Sequence, residues 1–304
     1  MNGILTGVLP VLPTPFDAQG KVDATVLRLI THFALAAGVQ GVVFPGFASE
    51  VETLSPEERS TLLAVVSEEV AGRVAIVAGA SAPTAAEVIA HGKVAAGLGI
   101  NLLMIQPPKA IGGTAEVIAA FLAEVTAALP EVQIVLQNAP APRGSDLTPE
   151  TIVEVVRANA QITYVKEETL PAGPAISHIL THRPTHLRGV IGGGGARYVL
   201  DEYARGANAF MPAVELVDQH VALDAAWWAG DKTLAREIYV RTLPLLTLQA
   251  MYRMRLTKLV LMRRGIMDNI IVRAPTPDLD AQAIADIDAN LAELGLLSRA
   301  EATQ

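Results

Sequence analysis

Ile162-Thr163-Tyr164-Val165-Lys166 is a short apolar run that ends in a lysine, and it predicts a buried strand. Lysine is rarely buried without a partner. Burial disfavours the ammonium form, so the neutral amine becomes available and can form a Schiff base with a carbonyl compound. The alternative is that Lys166 lies past the end of the strand and extends its ammonium group to water. The strand pattern leaves both interpretations open.

Seven further apolar runs resemble this strand, and longer helical patterns separate them. The eight predicted strands cover residues 7–12, 41–44, 74–78, 102–105, 133–136, 162–165, 187–190 and 207–210. Helical patterns between them cover residues 25–37, 56–71, 85–97, 115–129, 149–157, 173–182 and 196–205. Short apolar strands are typical of a parallel sheet whose outer face is covered by helices. Eight such units predict an α/β protein with a (β/α)8 TIM barrel.

A doubly wound open sheet is the alternative fold, because periodicity does not show whether a sheet closes. The first strand is not followed by Gly-x-Gly-x-x-Gly, which disfavours the dinucleotide-binding form of that fold. After Phe210 the alternation stops, and helical patterns cover 214–228, 232–264 and 281–297. We predict a barrel core at 1–212. Residues 213–304 then form the last barrel helix and a C-terminal helical bundle, within the same structural unit.

The composition of the 304 residues predicts a globular protein with a large core. Hydrophobic residues make up 51% and charged residues 18%. The net charge of −8 disfavours nucleic acid as a partner. Cysteine is absent, which excludes disulfides and cysteine nucleophiles and is compatible with a reducing cytosol. Because the start lacks a signal-peptide pattern and no apolar stretch is long enough to span a bilayer, we predict a cytoplasmic protein without membrane contact.

The loop after the second strand contains Phe47, Ala48 and Ser49 among small residues. Backbone N–H groups in such a loop can face an anion. An ordinary βα loop is the other interpretation, with Ser55 as helix N-cap and Glu58 completing a capping box. Both interpretations can hold, because the cap lies beyond the binding turn.

Other polar or small residues follow the later strands. The C-terminal ends of barrel strands lie at one rim, where the chemistry of such barrels takes place. The residues that the sequence places there are Gln137, Lys166, Glu168 and Gly192, together with Phe210, the last residue of the eighth strand. Gly192 opens a run of four glycines, which permits close backbone approach to a carboxylate or phosphate, although a flexible loop is the more common explanation.

Four motifs occur along the chain in a specific order. They are Pro10-Val11-Leu12-Pro13-Thr14-Pro15-Phe16; Ser49-Glu50 with Thr53-Leu54-Ser55 and Glu58-Arg59; Asn138-Ala139-Pro140; and Val165-Lys166-Glu167 with Thr169. The set resembles the N-acetylneuraminate lyase and dihydrodipicolinate synthase family of class I aldolases, over residues 4–297. The resemblance implies a (β/α)8 barrel with a C-terminal helical bundle, usually a homotetramer built as a dimer of dimers. It also implies that Lys166 attacks the keto carbon of pyruvate or another 2-keto acid.

The binding loop departs from the family's usual pattern. Phe47 and Ala48 stand where two hydroxyl residues usually hold the substrate carboxylate. Ser49 stands where glycine is usual, and we expect it to supply the hydroxyl instead. With Gly192 and Phe210, these three residues form the predicted substrate-binding set.

The proton relay of the synthases is also missing. Gln137 occupies the position of the tyrosine that shuttles protons, and an amide has no useful acid or base pKa. The loop after the fourth strand has no tyrosine. Pro142 stands where the synthases carry the arginine for their aldehyde substrate, and Arg143 lies one step further. We therefore expect a different activity from that of a dihydrodipicolinate synthase.

The predicted replacement base is Glu168, or alternatively a water held by Gln137 and Ser49. Side chains alternate along a strand, so Glu168 can share a face with Lys166. The alternatives are a solvated loop carboxylate and a structural partner of Lys166. Gln137-Asn138-Ala139-Pro140 together with Lys166-x-Glu168 looks more like the family branch that dehydrates 2-keto-3-deoxy sugar acids, such as 2-keto-3-deoxy-pentonates.

Three functions therefore stay open. The first is a lyase of that dehydratase type, with Lys166, Gln137 and Glu168 as catalytic residues. The second is a pyruvate-dependent aldolase or an enzyme like 4-hydroxy-tetrahydrodipicolinate synthase. The third is a non-catalytic 2-keto acid binding protein. No cofactor or metal is predicted, because a protonated imine is itself the electron sink and because His178 and His182 lack a matching acidic ligand.

A basic segment lies in the long C-terminal helical pattern. Its members are Arg253, Arg255, Lys258, Arg263 and Arg264. We expect a solvated helix face with surface salt bridges, and the alternative is that one member reaches over the barrel mouth.

Overall fold

The computed structural model describes residues 4–297, and its eight strands form one sheet. The strands are β1 (Gly7–Val8), β2 (Gly41–Phe44), β3 (Ala75–Gly79), β4 (Leu102–Ile105), β5 (Gln133–Asn138), β6 (Ile162–Glu167), β7 (Gly189–Gly192) and β8 (Ala209–Phe210). Their order is β1-β8-β7-β6-β5-β4-β3-β2. A parallel sheet in which chain neighbours pair and the first strand meets the last is a (β/α)8 TIM barrel. The predicted fold is confirmed, and the open doubly wound sheet is wrong.

Helices alternate with these strands. They are α1 (Ala24–Ala36), α2 (Pro56–Val70), α3 (Ala85–Gly97), α4 (Ala115–Ala128), α5 (Pro149–Ala158), α6 (Ala172–His182), α7 (Val199–Ala204) and α8 (Val217–Trp228). Two C-terminal helices follow, α9 (Lys232–Arg263) and α10 (Ala281–Leu294). The capping box at the start of α2 is confirmed: Ser55 Oγ accepts from Glu58 N at 3.2 Å, and Glu58 Oε2 accepts from Ser55 N at 3.0 Å.

Some element boundaries differ from the sequence-based expectation. Strand β6 extends to Glu167, so Lys166 lies inside the strand and not at its end. The pattern at 232–264 predicts a continuous helix, but the backbone of α9 leaves the helical region at Arg253, with φ 49° and ψ −124°. A positive φ is uncommon for a residue with a side chain, so periodicity gives no warning of this kink.

The described residues group into two compact units. Unit 1 comprises residues 4–7 and 75–211, with β3 to β8 and α3 to α7. Unit 2 comprises residues 8–74 and 212–297, with α1, β2, α2 and α8 to α10. The division of the chain into a barrel core at 1–212 and a C-terminal part at 213–304 stays a prediction.

Strand register positions the candidate site in unit 1. Lys166 pairs with Gln137 of β5 and with Ile191 of β7. Glu167, one residue further along β6, pairs with Asn138 and Gly192. Paired residues of neighbouring parallel strands point to the same face of the sheet, and successive residues alternate. Lys166 and Gln137 therefore share one face, and Glu167 points to the other.

Unit 2 contains a fully buried ion pair. Lys258 Nζ donates to Glu50 Oε1 at 2.7 Å and to the carbonyl of Ile271 at 2.6 Å. The other carboxylate oxygen, Glu50 Oε2, accepts from the backbone N–H groups of Arg273 at 2.6 Å and Ala274 at 2.7 Å. The expectation of a solvated basic segment is wrong for Lys258. Its carboxylate partner, Glu50, lies 208 positions away in the sequence, and helical periodicity does not report such a contact.

Candidate active site

Lys166 is buried in β6 beside a carboxylate. The residue is 5% exposed, and its Nζ atom forms an ion pair with Glu168 Oε1. The interpretation in which this ammonium reaches water is therefore wrong. A lysine at a buried strand end, paired with one carboxylate, can react with a carbonyl group with little competition from bulk water.

Glu168 has three side-chain partners. In addition to Lys166, Gln137 Nε2 donates to Glu168 Oε1 at 3.1 Å, and the Arg143 guanidinium forms an ion pair with Glu168 Oε2. Burial acts to raise the pKa of this carboxyl group, but Lys166 and Arg143 outweigh burial and lower the pKa to about 2. Glu168 is thus an ionised, paired carboxylate and not a solvated loop residue. In this arrangement it is a weak base.

A second buried carboxylate, Glu167, forms hydrogen bonds on the opposite face of β6. Asn138 Nδ2 donates to Glu167 Oε2 at 3.0 Å, and Thr169 donates to Glu167 Oε1 from its N–H at 2.7 Å. The amide of Asn138 also bonds to the backbone of Leu147, with Nδ2 to the carbonyl at 3.0 Å and Leu147 N to Oδ1 at 2.9 Å. Burial raises the pKa of Glu167. This network fixes the strand end that carries Lys166.

The glycines after β7 make room for two carboxyl groups. A Cβ atom on Gly192 would lie 2.1 Å from Glu202 Oε2, and one on Gly193 would lie 2.2 Å from Glu168 Cγ. Real Cβ atoms do not approach other atoms so closely. At Gly192 and Gly193 the absence of a side chain therefore permits close packing, and Gly192 itself lies against Glu202.

Glu202 of α7 is a residue that the sequence pattern did not reveal. It is 1% exposed, and neither carboxyl oxygen has a hydrogen-bond partner among residues 4–297. Burial, followed by the charges of Glu168, Asp201 and Glu167, raises its pKa to about 8. At neutral pH it is a protonated acid next to an ionised one. In the sequence Glu202 is an ordinary acidic residue on a short helix. Its position against Gly192 is visible only in the folded structure.

The raised pKa of Glu202 predicts a pH dependence of stability. The folded state binds this proton more tightly than the unfolded chain, so the contribution is fully present below pH 4.5 and is lost as the pH rises towards 8. Relative to Glu202→Gln, the wild-type free energy of unfolding should fall across this range, by about 1.4 kcal/mol for each pH unit. Urea unfolding of both proteins at a series of pH values measures the difference.

Comparison with the variant separates Glu202 from other buried groups. Burial lowers the pKa of His220 to about 4, so that residue changes stability in the opposite direction at acidic pH in both proteins. Glu154→Gln, at an exposed position of α5, is the matched control and should leave the wild-type pH profile unchanged. Parallel profiles for the wild type and Glu202→Gln would contradict the assignment of a raised pKa.

The loop after β2, in unit 2, uses the Ser49 hydroxyl internally. Ser49 Oγ donates to the carbonyl of Leu12 at 2.5 Å and accepts from Gly46 N at 2.9 Å. The only hydroxyl hydrogen of this buried residue is thereby committed, which disfavours its expected use on a substrate carboxylate. Phe47 and Ala48 are half-buried, and the Arg253 guanidinium carbon lies 5.4 Å from the centroid of the Phe47 ring. Substrate binding by this loop stays a prediction.

Phe210 is packed into the core of unit 1. It is fully buried and meets Tyr203 of α7 edge to face, with ring centroids 5.6 Å apart. This contact fills space between strand and helix, and a substrate contact by Phe210 stays a prediction.

The His178 and His182 rings stack on each other, with centroids 4.3 Å apart. Within residues 4–297, no cluster of three or more histidine or acidic side chains has the arrangement of a metal site. Over the same range, none of the helices has the length and apolar character needed to span a bilayer.

Comparison with known proteins places the chain in a family. Residues 4–294 match the Dihydrodipicolinate synthetase family. A 4-hydroxy-tetrahydrodipicolinate synthase of Xanthomonas axonopodis pv. citri is 38% identical over 165 residues, which span 54% of this chain and about half (53%) of that relative. A synthase of the same name from Pelodictyon phaeoclathratiforme is 29% identical over 96% of this chain and 98% of its own.

A relative with another name matches over nearly the same length. The L-2-keto-3-deoxyarabonate dehydratase of Azospirillum brasilense is 28% identical over 92% of each chain. Among solved structures, the dihydrodipicolinate synthase of Rhodopseudomonas palustris has a TM-score of 0.88 and 26% identity, covering 95% of this chain and 97% of that one. The family match over almost the whole chain, the barrel topology and the relatives' names agree, and this chain belongs to the dihydrodipicolinate synthetase family of lyases.

Proposed function

We propose that this protein is a dehydratase of a 2-keto-3-deoxy sugar acid, such as a 2-keto-3-deoxy-pentonate, that acts through a Schiff base on Lys166. The observation that supports this most directly is the buried cluster of Lys166, Glu168 and Gln137. It places a carboxylate beside the amine, where the family's synthases use a tyrosine relay. The relative named as a keto-deoxy sugar acid dehydratase supports the same choice.

The mechanism begins when Lys166 gives one ammonium proton to Glu168 and attacks C2 of the keto acid. The keto oxygen takes one proton from the nitrogen and the one held by Glu168 and leaves as water, and the imine nitrogen keeps its last proton. The protonated imine withdraws electrons and acidifies the C3 protons. Glu168 takes one C3 proton, and the electron pair of the C–H bond forms the enamine. The enamine then expels the C4 hydroxyl, which leaves as water with the proton held by Glu168. A water molecule hydrolyses the resulting unsaturated imine, which releases the dehydrated 2-keto acid and regenerates Lys166. Gln137 orients Glu168 through its amide and carries no proton.

The remaining parts of the proposal concern binding and assembly. Phe47, Ala48, Ser49, Gly192 and Phe210 are the proposed substrate-binding residues, and the first three are proposed to supply backbone rather than hydroxyl contacts. The active assembly is a homotetramer in the cytoplasm. The protein is proposed to bind a small 2-keto acid as its substrate and to use no cofactor.

The second candidate function is a pyruvate-dependent aldolase or 4-hydroxy-tetrahydrodipicolinate synthase. The names of several relatives favour it. The residues favour it less, because Gln137 has no proton to relay and Pro142 has no charge for an aldehyde substrate's anionic end. Both functions pass through the enamine. They are distinguished by its next step, which is either loss of the C4 hydroxyl or a carbon–carbon bond step with an aldehyde.

Reductive trapping tests the proposal. The protein is incubated separately with pyruvate and with 2-keto-3-deoxy-pentonates, reduced with borohydride, and examined by intact mass and peptide mapping. We expect an adduct on Lys166 and, in unreduced reactions, loss of water from the deoxy acid without release of pyruvate. Release of pyruvate and an aldehyde would favour the aldolase. Absence of any adduct would contradict Schiff-base chemistry and leave a non-catalytic binding protein.

A further inference from the structure

We propose that Glu202 of α7 is a positioning residue for Glu168 and that it performs this role only in its neutral form. When Glu202 ionises, α7 loosens from β7, Gly193 no longer holds Glu168 in place, and proton transfer at the active site slows. The inference rests on the function proposed above and adds its regulation: catalysis falls reversibly at alkaline pH.

The carboxyl group of Glu202 is enclosed by protein. The residue is 1% exposed, and its carboxyl group occupies the space that a side chain on Gly192 would fill. Neither carboxyl oxygen has a hydrogen-bond partner within residues 4–297. Burial of a charge without a partner costs far more free energy than burial of a neutral polar group. The packing of α7 on β7 therefore depends on Glu202 remaining protonated.

Acidic groups around Glu202 oppose its ionisation. The charged groups that face it are Glu168 and Glu167 at the end of β6, Asp201 on α7 itself, and Arg197 in the turn before α7. Strand β7 meets Glu202 with Gly192, and α6 meets α7 with Gly173, which lies against Asp201 and Arg205. Burial and the excess of acids raise the pKa of Glu202 to about 8, so its protonation changes between pH 7 and pH 9.

The glycine turn after β7 connects Glu202 to Glu168. The Glu168 Cγ atom occupies the space that a side chain on Gly193 would fill, and Gly193 N donates to the Glu167 carbonyl at 3.1 Å. The next three residues, at 194–196, have positive φ values of 57°, 64° and 65°. The third is Ala196, whose side chain disfavours this conformation, so the surrounding structure must hold the turn. A shift of α7 therefore moves Gly193 and removes the surface on which Glu168 rests.

Glu168 is the group whose position matters most for the proposed reaction. It carries the protons both in imine formation and in removal of the C3 proton, and it is held by Lys166 and by Gln137 Nε2 at 3.1 Å. Displacement of a catalytic group by about 1 Å can lower a rate by about 100-fold. Loosening of α7 is therefore expected to slow proton transfer while the protein remains folded.

The test measures exchange of the C3 protons of pyruvate with D2O by proton NMR across the pH range, after subtraction of the protein-free rate. At pH 7 the wild type and Glu202→Gln should exchange at rates within about twofold. At pH 9 the wild type should be about tenfold slower than Glu202→Gln, because only about a tenth of Glu202 is still protonated one pH unit above a pKa of about 8. Return to pH 7 should restore the rate.

Amide hydrogen exchange, measured by mass spectrometry, follows α7 without reference to activity. At pH 9, peptides that cover residues 193–206 should be less protected in the wild type than in Glu202→Gln. Peptides from α4, in the same unit, should show no difference between the two proteins.

Two further variants keep the outcomes separable. Glu202→Met is uncharged and needs no hydrogen bond, so it should match Glu202→Gln even if the buried amide is poorly tolerated. Glu154→Gln, at an exposed position of α5, should match the wild type at every pH. Borohydride trapping with pyruvate and circular dichroism, both at pH 9, verify that each protein forms the imine and is folded.

The results distinguish this regulation from the proposed function. Parallel pH profiles for the wild type and both Glu202 variants, with trapping intact, would overturn the regulation and leave the proposed function standing. Divergent profiles without a difference in the protection of α7 would do the same. No pyruvate adduct in the wild type at any pH would overturn both.

Discussion

Lys166→Ala is expected to abolish turnover, by at least about 10⁴-fold in kcat. Without the amine no imine forms, and no other group in the cluster can act as the electron sink. Glu168 keeps Gln137 and Arg143 as partners in the variant, so its charge stays paired and strand β6 keeps its ladder to β5 and β7. Steady-state assays with a 2-keto-3-deoxy acid, together with far-UV circular dichroism, measure the two effects.

The matched variant for this prediction is Lys166→Arg. It keeps the positive charge beside Glu168 and loses only the nucleophile, because a guanidinium is not deprotonated in proteins. It should be as inactive as Lys166→Ala and should form no borohydride adduct. Normal turnover in either variant, with the fold intact, would eliminate the Schiff-base mechanism.

Lys258→Met should lower the free energy of unfolding by about 3–5 kcal/mol. Methionine fits the apolar volume of the lysine stem, but Glu50 is then a buried carboxylate without a countercharge. Burial lowers the pKa of Lys258 to about 8, against the opposing effect of Glu50, so the lysine is still mainly charged at neutral pH. Urea unfolding at pH 7 measures the loss.

A double-mutant cycle separates the pair from the packing. Glu50→Gln removes the charge but keeps an oxygen that can accept from Arg273 N and Ala274 N. Lys258→Met combined with Glu50→Gln should recover part of the loss, because no uncompensated charge remains. A single-variant loss below about 1 kcal/mol would show that Glu50 is satisfied by its two backbone donors alone.

The barrel and the unusual position of Lys166 in an apolar run are predictable from local pattern. Short apolar runs alternating with helical periods indicate βα units, because a strand buried on both faces has no polar alternation. The position of Lys166 in such a run marks it as unusual, since burial of an unpaired lysine is costly. The capping box at Ser55 and Glu58 is similarly local, because donor and acceptor are three residues apart.

The partners of Lys166 are only partly predictable. Glu168 lies two residues along the same strand end, so alternation suggests that it shares a face with Lys166. Arg143 reaches Glu168 from a loop 25 residues earlier, and Glu202 approaches Gly192 from a helix. No spacing rule connects these positions, because loop path and helix rotation determine them.

The features that the sequence predicts and those that it does not differ in how far apart along the chain the interacting residues lie. Strand and helix periodicity and helix caps depend on neighbours within a few residues, so they can be read directly from the sequence. The same is true of a lysine that stands in an apolar run. The charge state of Glu168, the protonation of Glu202 and the burial of Lys258 depend on groups brought together from distant positions. Burial and Coulomb interaction act through space, so these properties exist only in the folded chain.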